Sequence, residues 1–320
     1  MEKVFVTGAT GFIGRQVVRL MVGSGMRPDC LARTNSNTSG LGEAGIIHGD
    51  VLDLDCLRAG MRDVERVVHL AAISDWTSIT SPAVWEVTVE GTRNVLTAAR
   101  EAGVRRVVHV SSTSAINGTL EPRLLDEDSP FTLPQAGFLY AHAKREAENI
   151  CNEFQRNGLP IVIVNPAETY GPEDLRMNTA ENLLRLAKGP WAWVTRGGTG
   201  VVHVEDVANG ILAAMQHGHP GQRYILSAEN LTHANIAELV RETMDLHVQT
   251  REASRILVRL LATLGKHLKL PLGLNPGLMP YAMRYWFMES RKAKQQLGWR
   301  PRPGRESITE TIHWIQENHP

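Results

Sequence analysis

The sequence predicts an α/β fold, a doubly wound parallel sheet followed by a smaller C-terminal lobe, on three observations. Short Val- and Ile-rich runs alternate with helical patterns, a glycine triplet sits at the first strand-to-helix junction, and the texture of the chain changes after Pro166. Continuous apolar runs suit strands buried on both faces, and their alternation with helices makes the sheet parallel.

Strands are expected at 4–7, 30–32, 46–48, 66–71, 107–111 and 161–164. Between them, Ser81-Pro82 supplies an N-cap and a first-turn proline, and Val84, Thr88, Gly91 and Val95 then follow on one face. That pattern predicts a helix ending near Gly103. A second helix is expected from Leu139 to Arg156, stopped by Asn157-Gly158. Beyond Pro166 glycines, prolines and tryptophans thicken, as in Gly189-Pro190-Trp191 and in 271–280, which predicts a loop-rich lobe over the sheet edge.

Composition bounds the function. The 320 residues are enough for about two domains. With 42% hydrophobic and 21% charged residues the chain is neither disordered nor fibrous. Thirty-four Lys and Arg balance thirty-four Asp and Glu, so no basic excess marks a nucleic-acid partner, and a small-molecule substrate is expected. Cys30, Cys56 and Cys151 are odd in number and form no CxxC, which argues against a disulfide framework and a cysteine zinc site. The MEKVFVTGATG start lacks the basic and apolar stretches of a signal peptide, and no 18-residue uncharged apolar run occurs. Reduced thiols, a cytoplasmic location and no integral membrane segment are therefore expected.

Residues 4–14 read VFVTGATGFIG, with Gly8, Gly11 and Gly14 between strand and helix. The first glycine permits a tight turn, the second lets backbone N–H groups approach a pyrophosphate, and the third lets helix pack on strand. This predicts a dinucleotide-binding Rossmann domain over 1–165, re-entered at about 201–227, with 166–320 mainly a substrate lobe. About 20 residues past the last glycine, where an acid would hold the ribose 2′-hydroxyl of NAD, the chain has Arg33 in LARTNSN. A guanidinium there can fork onto a 2′-phosphate, so NADP is expected, with NAD the alternative. Arg33, Thr34 and Asn35 or Ser36 would form that pocket, and Asp50, in HGDV, would meet the adenine or cap the next helix.

Tyr140 and Lys144, in YAHAK, share one face of a helix, and a phenol needs a nearby cation to act as an acid-base near neutral pH. Upstream, VVHVSSTSAING places the hydroxyls of Ser111, Ser112, Thr113 and Ser114 at a strand end, where one of them could hold a substrate carbonyl.

At these residues the sequence resembles the extended short-chain dehydrogenase/reductase family, which includes nucleotide-sugar epimerases and dehydratases, dihydroflavonol 4-reductases and 3β-hydroxysteroid dehydrogenases. The likeness covers nearly the whole chain: TGATGFIG at 7–14, HLAA at 69–72, VEGTRNVLTAA at 89–99, SSTSAING, YAHAK, NPAETYGP at 165–172, HVEDVANG at 203–210 and LGWRPRP at 297–303. The nearest branch is the one of dihydroflavonol reductases and hopanoid-associated sugar epimerases.

The resemblance implies Tyr140 as acid-base and Lys144 as the group that lowers its pKa and holds the nicotinamide ribose. Thr113, with Ser112 as the alternative, would be the third catalytic residue. It implies cofactor contacts from Gly8, Thr10, Gly11, Phe12, Ile13, Gly14, Arg33, Asn35, Asp50, Val51, Leu70, Ala71, Ala72 and Ser111, with Asn165 and Pro166 beside the nicotinamide. It also implies a homodimer through the helices near 82–102 and 139–157, with Trp85 and Phe154 as apolar contacts. Thr88 departs from the family's usual asparagine.

Gly200 and Val201 stand where family members acting on nucleotide sugars often carry a diphosphate-binding arginine, leaving Arg176, Arg185, Arg196 or Arg284 to supply one. The aromatic and Met-rich segment 278–290 could wall an apolar substrate or pack the lobe's core. The stretch 256–270 is amphipathic, with Arg259, Lys266 and Lys269, and would pack on its own lobe or meet a membrane surface. His69, His109 and His203 are expected to be satisfied core or strand-end groups, and no metal is expected. The expected activity is NADP-dependent interconversion of a ketone and a secondary alcohol on a small apolar or sugar-like substrate. The alternatives are a nucleotide-sugar epimerase or dehydratase, and a cofactor-sensing protein without turnover.

Overall fold

The computed structural model describes residues 2–188, 191–247, 249–254 and 278–318. In chain order its strands are β1 (Val4–Thr7), β2 (Asp29–Ala32), β3 (Gly45–His48), β4 (Arg66–His69), β5 (Arg106–Val110), β6 (Ile161–Pro166), β7 (Glu168–Tyr170), β8 (Trp191–Thr195), β9 (Gly198–His203), β10 (Arg223–Leu226), β11 (Glu229–Thr232), β12 (Gln249–Ala253) and β13 (Tyr285–Trp286). Seven of them form one parallel sheet in the order β10-β6-β5-β4-β1-β2-β3. Strand order reverses at β1, which pairs with β2 on one side and β4 on the other, and a doubly wound sheet opens its ligand crevice at such a reversal.

The apolar runs are continuous because both faces of the sheet are covered. Successive strand residues point to opposite faces. Phe5, Val67, Val107 and Ile161 join one core with Val95, Leu96, Ile150 and Phe154. Their neighbours Val4, Val6, Val68, Val108 and Val162 join a second core with Val17, Val18, Met21, Val207 and Ile211. The helices supplying these side chains are α1 (Phe12–Gly23), α4 (Gly91–Glu101), α5 (Leu139–Arg156) and α7 (Val204–His217). The remaining labelled helices are α2 (Leu54–Gly60), α3 (Ala83–Trp85), α6 (Ala180–Ala187) and α8 (His233–Thr243).

The helix expected from Ser81 to Gly103 is broken. The Ser81 hydroxyl does accept the Ala83 N–H, at 3.4 Å. After α3, however, Glu86–Glu90 winds as a π-helix before α4 begins. The wider turn inserts an extra residue, so that Thr88 and Val89 are buried side by side instead of following a simple 3.6-residue stripe.

A smaller lobe is built on β9, which pairs antiparallel with β11 and parallel with β7 and β13. Strands β8 and β12 pair separately. Under β9, Val201, Leu231, Leu183, Ile236 and Val240 pack against Ile308, Ile312 and Ile315 of the helix Gly304–Asn318. The LGWRPRP segment ties the chain end back to α7, which packs in the second core of the large sheet. Trp299 Nε1 donates to the Asp206 carbonyl at 2.7 Å, and Arg302 reaches Glu205 at 2.7 Å and Asp206 at 3.1 Å.

Cys30, Cys56 and Cys151 are all free. Among the described residues no helix is long and apolar enough to cross a membrane. The amphipathic stretch at 256–270 lies outside the described residues.

Trp299 is 4% exposed and packs in the core that contains α1 and α7. Trp299→Ala should cost about 3–5 kcal/mol in urea unfolding. A loss below about 1 kcal/mol, within reach of an ordinary surface change, would show that the C-terminal segment is not part of that core.

Candidate active site

A cavity of 980 Å³ opens along the C-terminal ends of β1, β4, β5 and β6. Its first wall is the glycine turn. Gly8 has φ +72°, and a Cβ there would meet Ala71 N at 2.7 Å. A Cβ on Gly14 would fall 2.1 Å from the Gly8 carbonyl oxygen. Both glycines are therefore demanded by sterics, one by left-handed backbone and one by close packing. Gly11 caps α1 without a side chain, and the first turn of α1 carries no acid. First-turn N–H groups lack intrahelical acceptors and the helix end is positive, so this wall fits a diphosphate.

Thr10, Phe12, Ile13, Val51, Leu70, Ala71 and Ala72 line the same cavity. So does Arg33, an exposed side chain at the end of β2, together with Ser36 and Asn37. Thr34 and Asn35 are exposed and do not line it, because the backbone turns at Arg33, whose carbonyl accepts the Ser36 N–H at 2.8 Å. Arg15 is a cation that the sequence reading passed over. Its guanidinium donates to the Asn37 carbonyl at 2.7 Å and to the Ser39 carbonyl, pinning the loop after β2. Its signal was its place directly after the third glycine. The Asp50 carboxylate accepts the Leu52 N–H at 3.0 Å and so shapes a turn, whereas α2 is capped by Asp53.

At the end of β5, Ser112 caps a short 3₁₀ turn by accepting the Ser114 N–H at 3.1 Å. Ser111, Ser112, Thr113, Tyr140, Lys144 and Pro166 line one stretch of the cavity. Burial pushes the Tyr140 phenol up to about 12, and a hydrogen bond with Ser112 pulls it partly back. Burial brings Lys144 down to about 8 against the opposing pull of Glu148 and Cys151. Lys144 Nζ donates to the Val110 carbonyl at 3.0 Å. In this arrangement burial outweighs the lysine as an influence on the phenol. Thr113 is 6% exposed on the cavity lining, and Ser111 Oγ is buried without a hydrogen-bond partner.

Asn165 does not line the cavity. It is 0% exposed beneath it, donating to the Ser112 carbonyl at 2.9 Å and to Glu148 Oε1 at 2.6 Å. Glu148 is held in turn by Arg223 of β10 at 2.9 Å. Asn165 is thus a brace for the Ser112 strand end.

His69 is satisfied, with Nδ1 at 2.7 Å from the Thr7 hydroxyl and Nε2 at 3.0 Å from that of Thr92. His203 is satisfied only at Nδ1, which caps α7; its Nε2 lies 3.1 Å from Glu310 without making a hydrogen bond. His109 departs from expectation: it is buried against His69, ring centroids 5.3 Å apart, and neither of its nitrogens has a partner. A strand residue facing a packed helix layer has no backbone group left to meet it.

The far wall is apolar and was only half legible. Leu278, Met279, Tyr281 and Trp286 of the Met-rich segment line the cavity, while Met283 and Met288 are buried in the lobe, so the segment is both wall and core. Trp76 and Tyr281 meet edge to face at 5.9 Å, and Tyr281 stacks on Trp286 at 5.6 Å. Arg176 and Arg185 also line the cavity, but Arg185 is paired with Glu181 at 2.9 Å. Arg196 pairs with Glu252, and Arg284 donates to the Gly118 carbonyl at 2.8 Å, neither lining the cavity. Phe154, expected at a dimer contact, is 5% exposed and packed within its own core, whereas Trp85 is 38% exposed. Among the described residues no group of three or more metal-binding side chains is assembled.

Likeness to known proteins adds four findings. The model of the NAD dependent epimerase/dehydratase family matches residues 4–227. A putative dihydroflavonol 4-reductase of Synechocystis is 29% identical over 98% of this chain and 94% of its own. Sterol demethylase protein B of Methylococcus capsulatus is 29% identical over 98% of each chain. Among solved structures, the crystal structure of gox2253 superposes with a TM-score of 0.86 at 30% identity, covering 100% of this chain and 99% of that one.

Burial lowers His69 from 6.5 to about 3, with a smaller push from the Lys144 ammonium, and holds His109 well below the ordinary range. The unfolded chain binds these protons below pH 6.5 while the folded chain does not, so stability falls as pH falls. The expected slope approaches about 2.7 kcal/mol per pH unit for the pair. Urea unfolding at pH 7, 6 and 5 measures it, and equal stability at all three would contradict the buried neutral pair.

Proposed function

The chain belongs to the NAD dependent epimerase/dehydratase family, and from that premise we propose that it is an NADP-dependent oxidoreductase interconverting a ketone and a secondary alcohol on a small, largely apolar substrate. It is an NAD(P)-dependent enzyme of the extended short-chain dehydrogenase/reductase type. The observation that carries the finer reading is the continuity of one cavity from the glycine turn and Arg33, past Tyr140 and Thr113, to the wall of Trp76, Tyr281 and Trp286. Relatives named as a dihydroflavonol reductase and a sterol demethylase protein agree with an apolar substrate.

Bound along the turn, a nicotinamide dinucleotide supplies or accepts the hydride. The chain's own residues do the rest. Tyr140 gives its phenolic proton to the substrate oxygen in reduction and takes it back in oxidation. Ser112 stays hydrogen-bonded to the phenol, and Thr113, which lines the cavity beside it, orients the substrate oxygen. Lys144 spends one of its three N–H donors on the Val110 carbonyl and keeps the others for the ribose, and its charge steadies the phenolate as it forms. Arg33 grips a 2′-phosphate where NAD-specific folds place an acid. The reading includes a homodimer through the α3–α4 and α5 faces, with Trp85 rather than Phe154 as apolar contact.

The second reading, a nucleotide-sugar epimerase or dehydratase, draws on Arg176, an exposed cation at the cavity wall. Net change of nicotinamide absorbance on turnover separates the two, since the epimerase or dehydratase restores its cofactor. Tyr140→Phe should lower kcat by about 10²–10⁴ with NADPH affinity kept within about twofold; full activity would refute the assignment. Arg33→Ala should weaken NADPH at least tenfold and leave NADH unchanged, as measured by Kd, for a charge-assisted fork lost from one ligand only. Equal affinities of the wild type for both would sink the cofactor choice.

A further inference from the structure

Five acids line the cavity: Asp50, Asp75, Glu168, Glu173 and Asp174. Four are answered by a cation or by backbone N–H groups. Asp50 accepts the Leu52 N–H and Asp75 the Ser78 N–H, Glu173 pairs with Arg19 at 2.6 Å, and Asp174 accepts the N–H groups of Thr179 and Ala180. Among the described residues the hydrogen-bond partners of Glu168 are all neutral. The Tyr170 hydroxyl donates to its Oε1 at 3.0 Å and the Asn182 amide to the same atom at 3.4 Å, with the Thr199 hydroxyl also in reach of the carboxyl. No Lys or Arg among the described residues comes within ion-pairing distance of it.

This carboxyl opens β7, two residues past Pro166, so chain length alone keeps the two within about 7 Å. Both line the cavity, whose nearby wall is apolar at Leu183, Ile236 and Tyr281. The Tyr170 and Asn182 donors both converge on Oε1, so at most the Thr199 hydroxyl engages Oε2, which keeps acceptor capacity for a ligand. Burial pushes the carboxyl above the ordinary carboxylate range, with the three hydrogen bonds pulling the other way. Ionised, it accepts from a substrate hydroxyl through Oε2 and repels an anion brought beside it, with no cation among the described residues in ion-pairing contact with the carboxyl itself to offset that repulsion.

Resting on the oxidoreductase reading of the cavity, we propose that Glu168 is a specificity-determining residue: its carboxyl accepts a hydrogen bond from an uncharged hydroxyl on an otherwise apolar substrate and disfavours a group that is anionic at that point. The arrangement places polar recognition on β7, away from the phenol on α5 that handles the reacting oxygen. Such a site lets one end of an apolar molecule be held by a single directional contact while the rest is selected by shape.

The test uses three ketones that differ only at the far end: 4-phenylbutan-2-one, its para-hydroxy analogue and its para-carboxylate analogue. Their Kd values are measured by calorimetry on the NADPH-saturated enzyme, with nicotinamide absorbance followed separately. The wild type should bind the hydroxy probe about tenfold more tightly than the plain ketone, the worth of one well-placed hydrogen bond, and the carboxylate most weakly. Glu168→Gln should keep the hydroxyl preference and bind the carboxylate at least tenfold better than the wild type does. Glu168→Leu should abolish the hydroxyl preference; if it fails to fold, Glu168→Gln carries the test alone. No hydroxyl preference in the wild type, or a carboxylate Kd unmoved in Glu168→Gln, overturns the proposal. Probes that bind in the expected ratios without any nicotinamide change would refute the oxidoreductase reading and leave the role of Glu168 standing.

Discussion

Gly14 can sit over the Gly8 carbonyl only because it lacks a Cβ, which would fall 2.1 Å from that oxygen, and Gly8 can abut the chain at Ala71 for the same reason. These two contacts fix the first turn of α1 against the ends of β1 and β4. The uncapped helix end then points its N–H groups into the reversal of strand order, where the sheet leaves a crevice. Larger side chains at either position would move α1 outward and separate it from α7, with which it shares a core through Val17, Val18, Val207 and Ile211. One steric condition thus governs both the packing of a face and the shape of the ligand wall.

A second layer of order lies under the cavity floor. Glu148 on α5 joins Asn165 of β6 and Arg223 of β10, and Arg223 also donates to the Glu127 carbonyl, while the Glu127 carboxyl accepts the Ile225 N–H at 2.9 Å. Through Asn165 the network reaches the Ser112 carbonyl. The strand that re-enters the sheet from the distal half of the chain is therefore wired to the segment that carries the proposed catalytic hydroxyls. Buried charge of this kind stabilises little unless every partner is present, and its use here is to specify position.

Much of this was legible in the sequence, and the rest was not, for definite reasons. The parallel sheet followed from uninterrupted apolar runs, because two covered faces erase alternation. The glycine turn followed from sterics that leave no other residue possible. The π-helix at Glu86–Glu90 did not, since Val84, Thr88, Gly91 and Val95 fit an ordinary helix equally well. The family resemblance set Asn165 and Pro166 together beside the nicotinamide, but adjacent strand residues face opposite ways, and of the two Pro166 lines the cavity. His109 was read as satisfied, a property that depends on groups brought to it by other elements.

The far wall is the extreme case of that dependence. Tyr281 is 140 residues from Ala141, yet its hydroxyl accepts the Ala141 N–H at 3.2 Å, directly beside Tyr140. Its ring meanwhile contacts Trp76, Phe138 and Trp286. A single side chain of the small lobe therefore helps seat the helix bearing the proposed acid-base and also walls the substrate chamber. Changes in substrate preference made at this aromatic cluster are consequently coupled to the position of the phenol. Glu168, on a different strand with its own polar partners, is free of that coupling. Selection by shape and selection by hydrogen bond are in this way carried by separate elements, and the second can vary without disturbing the geometry at Tyr140.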